Sequence, residues 1–95
     1  MEDLREKVEK YLKLNLEALS KIKVAAPKDS FFYTMATDFM EMIRSYSSDA
    51  LHFKEKGDLI NAFAALNYAH GWIDAGARIG IFDVDLDHRL FTLYR

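Results

Sequence analysis

The chain has 95 residues, no cysteine, and 13 Lys+Arg against 15 Asp+Glu, a formal charge of −2. That length supports one domain with a single core, and the near-neutral charge gives no overall basic field for nucleic acid or an anionic membrane. Disulfides, thiolate metal sites and a cysteine nucleophile are excluded. The start, Met1-Glu2-Asp3-Leu4-Arg5, is acidic where a signal peptide is basic and then apolar. No apolar run nears the ~18 residues that span a bilayer. The expectation is one soluble cytoplasmic domain over residues 1–95.

One proline and four glycines are too little punctuation for an all-β chain. The first helix is predicted over about 3–23. Leu4, Val8, Tyr11, Leu12, Leu19 and Ile22 recur at helical spacing, and Asp3 with Glu6 makes a capping box. Pro27 breaks the pattern, since proline lacks an amide and disfavours helix in the residue before it. Asp29 or Ser30 can cap a second helix over about 30–56, whose ladder is Phe32, Met35, Phe39, Met42, Tyr46, Ala50 and Phe53. A weaker stripe of Tyr33, Met40 and Leu51 lies opposite that ladder and reads as outward. Gly57 can take a left-handed cap, and Asp58 immediately starts a third helix over about 58–80.

So tight a turn makes the second and third helices antiparallel neighbours. Residues equidistant from Gly57-Asp58 should then lie at one height: Phe53 with Ala62, Ala50 with Ala65, Tyr46 with Ala69, Met42 with Ile73 and Phe39 with Gly76. Rings on one helix oppose small residues on the other, which lets the axes approach to the short end of the ~8–10 Å range. The first helix covers what the hairpin leaves open, with Tyr68, Trp72 and Ile79 as its expected partners. The fold class is therefore all-α, an antiparallel up-down-up three-helix bundle. Residues 81–95 form an extended C-terminal tail, in which Leu90-Phe91-Thr92-Leu93-Tyr94 favours strand. That tail lies along the bundle or adds to a second chain.

The stretch Lys56 to Gly76, above all Tyr68-Ala69-His70-Gly71-Trp72-Ile73-Asp74-Ala75-Gly76, resembles the archaeal family called domain of unknown function 357. The similarity runs from roughly Phe39 to Phe82. It implies a small, closed, three-helix up-and-down bundle in an archaeal cytosol, and it implies no activity, because the family has no assigned catalytic residues.

Among polar residues, the sharpest candidate face is the strip Asn67, His70, Asp74 and Arg78. Steps of three and four place them on one side of the third helix, roughly opposite the small-residue groove. Gly71 shares that side in mid-helix, where it costs ~1 kcal/mol relative to alanine. Such a glycine implies that a second chain, a ligand, or the chain's own first helix or tail comes close there. A metal site is not expected. Asp49 with His52 and Asn67 with His70 imitate a di-iron acid-x-x-His pairing, but the hairpin register sets the two imidazoles about seven residues of rise apart, roughly 10 Å. Asp83-x-Asp85-x-Asp87 opens like a calcium loop, yet His88 and Tyr94 occupy the positions that need glycine and glutamate. No cofactor is expected, for there is no phosphate loop or nucleophile elbow. The scattered lysines supply no RNA stripe. The reading is a non-enzymatic interaction module, a homo-oligomer or the partner of another protein. The alternative is a ligand-binding or hydrolytic protein with His70 as acid/base, Asp74 orienting it and Arg78 clamping an anion.

Overall fold

A computed structural model describes residues 3–84. Three helices, α1 (Leu4–Lys21), α2 (Phe31–Glu55) and α3 (Leu59–Ile79), are joined at one end by a short ribbon of β1 (Lys23–Val24) and β2 (Phe82–Asp83). The caps explain where each helix starts. Asp3 accepts the Glu6 amide at 2.8 Å, Ser30 rather than Asp29 accepts that of Tyr33 at 3.2 Å, and Asp58 accepts that of Asn61 at 3.2 Å. Gly57 and Gly80 end α2 and α3 at φ +80° and +83°, a left-handed conformation that side chains disfavour.

The architecture is the up-down-up bundle. α1 runs parallel to α3, since Tyr11 meets Phe63 with ring centroids 5.6 Å apart and Asn15 reaches the Leu66 carbonyl four residues further along. α2 runs antiparallel, and the predicted height holds to within one residue at Tyr46 but is off by one turn at Phe39. Tyr46 meets Tyr68, the neighbour of Ala69, at 4.8 Å, and Phe39 meets Trp72, one turn before Gly76, also at 4.8 Å. The place opposite Gly76 is filled by Phe82, whose ring also lies 6.4 Å from Phe39.

All three helices feed both core clusters. One gathers Ala18, Met40, Ile43, Ile73 and Ala77 with Ile81, Phe82 and Val84; the other gathers Val8, Leu12, Ala50, Ala62, Ala65 and Leu66. This arrangement corrects the expected ladder of α2. The buried row is Ala36, Met40, Ile43, Ser47 and Ala50, while Phe32 is 58% exposed. Two neighbours explain the rotation. A helix contacting only α3 would centre its buried face on Met35-Phe39-Met42-Tyr46, whereas α2 must also meet α1, so the centre turns toward that crevice. Met40, expected to face outward, is consequently buried at 8% exposure, although Leu51 stays exposed.

The β ribbon was not foreseen. Val24 pairs with Phe82 and Lys23 with Asp83, and the Ala25 amide donates to the Ile81 carbonyl at 2.9 Å. The tail's beginning thus lies on its own bundle, burying Ile81, Phe82 and Val84. The aspartates at 85 and 87 and the strand-like 90–94 segment lie outside the described residues.

Candidate functional site

Two residues of α3 two positions apart differ by ~200° around the axis, so they face different neighbours. His70 faces α1, and Tyr68 therefore faces the other flank, beside α2. The sequence suggested Tyr68, Trp72 and Ile79 as the partners of α1. Tyr68 and Trp72 pair with Tyr46 and Phe39 of α2, and Ile79 is 57% exposed. Among the residues of α3 that meet α1 are Phe63, Leu66 and His70.

His70 is held by a residue that the sequence reading passed over. Asn15 sits in the α1 stripe between Leu12 and Ala18 and is only 2% exposed. Its amide nitrogen donates to the Leu66 carbonyl at 3.1 Å. Its oxygen must therefore face the His70 Nδ1, 3.0 Å away. An amide oxygen only accepts, so Nδ1 carries the proton. On the ring's other side Nε2 stands 3.6 Å from an Asp74 carboxylate oxygen. In the hydrolytic reading Asp74 was to orient the imidazole; Asn15 holds the ring's other nitrogen, from another helix. The gap in the apolar spacing at position 15 was the signal for this contact. Asn15 fills a core position that needs a polar neighbour. A second polar group in the core is Ser47, whose hydroxyl has no hydrogen-bond partner among the described residues.

The five predicted residues thus divide into two groups. His70 and Asp74, with 39% and 27% of their side chains exposed, turn toward α1. Asn67, Gly71 and Arg78 are exposed. Asn67 and Gly71 join Tyr68 and Trp72 around a shallow depression of ≈ 360 Å³. A Cβ built on Gly71 would meet nothing within 4 Å, so no described residue of this chain approaches it. Around that depression the outward face of α3 is nearly uncharged. Of its nine exposed residues only Arg78 carries charge, whereas six of the ten exposed on α1 do. Water-facing helices normally look like α1. Among the described residues no cluster of three or more His, Asp or Glu is placed to hold a metal ion, and no helix is long and apolar enough to cross a membrane.

The family model described as a protein of unknown function, DUF357, matches residues 10–82. The chain belongs to the DUF357 family. The match takes in most of α1 as well as the hairpin, and it ends at Phe82, the ring that covers Gly76. Asn15, His70 and Gly71 all fall inside the DUF357 span. No curated protein and no solved structure matches the chain.

Proposed function

We propose that this DUF357 protein is a non-enzymatic interaction module that acts as a homo-oligomer, its contact surface centred on Gly71 of α3. The observation that carries this reading is the open space over Gly71 on a face almost without charge. A mid-helix glycine costs ~1 kcal/mol against alanine, and here no described residue uses the room it leaves. A partner that seats itself there would use that room. Aromatic residues with little charge around them are also characteristic of interface centres. The absence of cysteine fits a cytoplasmic setting.

The test is sedimentation velocity with native mass spectrometry at micromolar concentration. An oligomer is expected, and a monomer at every concentration overturns the reading. NMR of the His70 ring in a mixture of metabolites and nucleotides separates the rival. Ring resonances that do not move are expected, whereas a saturable shift would favour ligand binding at the Asn67, His70, Asp74 and Arg78 strip.

A further inference from the structure

Resting on that self-association reading, we infer that the occupant of this face is α3 of a second copy, running antiparallel, with Tyr68 of each chain seated over Gly71 of the other. Along the exposed face, Asn61, Ala64, Tyr68, Gly71, Ala75 and Arg78 follow one another at steps of three, four, three, four and three. That is the spacing of a seam between two paired helices. In an antiparallel pair, residues equidistant from the twofold axis come level. With the axis between positions 68 and 71, each tyrosine meets the glycine of the other chain and Ala64 meets Ala75. The bulkiest side chain on the seam, 60% exposed in the single chain, then enters the depression beside the residue that has no side chain. Alanine against alanine lets the axes close to the short end of the ~8–10 Å range. The surface is complementary to itself, as a twofold interface requires.

Charge selects the same direction. Each α3 begins at the Asp58 carboxylate and ends with Arg78 as its one exposed charge. Antiparallel pairing brings Arg78 level with Asn61 of the second copy, whose amide nitrogen is engaged with Asp58 at 2.7 Å. The guanidinium thus meets an amide oxygen and a carboxylate at both ends of the seam, and the two helix dipoles oppose. Parallel pairing would set Tyr68 on Tyr68, leave the space at Gly71 empty and place Arg78 beside Arg78.

The chain has no cysteine, so introduced thiols are unique. The expected result is that Asn61→Cys mixed with Arg78→Cys gives a disulfide-linked pair containing one of each, while either variant alone links at least tenfold less. Gly71→Glu, whose Cβ would have open space around it, should keep its helical circular dichroism and weaken the dimer at least tenfold. A dimer that links Asn61→Cys to itself, or one indifferent to Gly71→Glu, overturns this pairing and leaves self-association standing. A wild-type monomer at every concentration overturns both.

Discussion

A single buried amide decides how α1 meets α3. Asn15 is 2% exposed and satisfies two groups at once, the Leu66 carbonyl and the His70 Nδ1. Removing it leaves both short of a partner and opens a small void. Asn15→Ala is therefore expected to cost about 2–3 kcal/mol, read as a lower midpoint in urea unfolding. His70→Ala removes only the half-exposed member and should cost less. Neutral His70 should appear in ¹⁵N spectra as the Nδ1–H tautomer, and an Nε2–H signature would contradict the Asn15 contact. The two interior glycines of α3 respond oppositely to the same change. At Gly71 an added methyl points into open space, so Gly71→Ala should stabilise the dilute protein by ~0.5–1 kcal/mol. At Gly76 it would overlap the Phe82 ring, which is 3% exposed and has little room to move. Overpacking there outweighs the gain in helix propensity, and Gly76→Ala should lower stability by roughly 1 kcal/mol. Thermal melts at low concentration compare the two directly.

At the scale of elements, the hairpin depends on small residues of α3 under the bulk of α2. Ala69 is fully buried level with the Tyr46–Tyr68 pair, and Ala69→Leu is expected to force the helices apart at a cost of about 1–3 kcal/mol. A melt unchanged by that substitution would refute the register. The height of Tyr46 against Ala69 was legible in the sequence because a three-residue connection, Lys56-Gly57-Asp58, leaves little freedom in how α2 and α3 align. The rotation of α2 was not legible. Spacing alone places Phe39 and Met40 about 100° apart without saying which faces inward; that depends on where α1 packs, and Pro27 and its neighbours do not specify it. The error at Met40 follows from this, and so does the assignment of Tyr68 and Trp72 to α1. The candidate strip was read correctly as a helical row, but its two halves have different neighbours, because His70 lies close enough to α1 for Asn15 to draw it in. The nearly charge-free outward face of α3 was present in the letters Ile60 to Ala77.

The whole molecule is closed differently at its two ends. One end is the tight Gly57-Asp58 turn; the other is the ribbon that ties the α1–α2 connection to the exit of α3 and buries Ile81, Phe82 and Val84. Between them the faces of α1 and α2 carry charge of both signs, which keeps them in water, and the outward face of α3 does not. A chain that pairs with itself through a poorly hydrated face should gain stability by mass action. Raising the total concentration from near the dissociation constant to about 100 times it adds roughly 1.2 kcal/mol per chain to the folded state, since free monomer rises more slowly than total protein. For a domain of this size each kcal/mol moves the melting midpoint by about 4–8 °C, so the midpoint should climb by some 5–10 °C. The Gly71→Glu variant, folded alike but unable to seat Tyr68, should melt at one temperature across the same range. Differential scanning calorimetry over a concentration series measures both slopes. If the wild-type midpoint stays flat while the native fold is retained, the α3 face remains in water, and its lack of charge has no bearing on association.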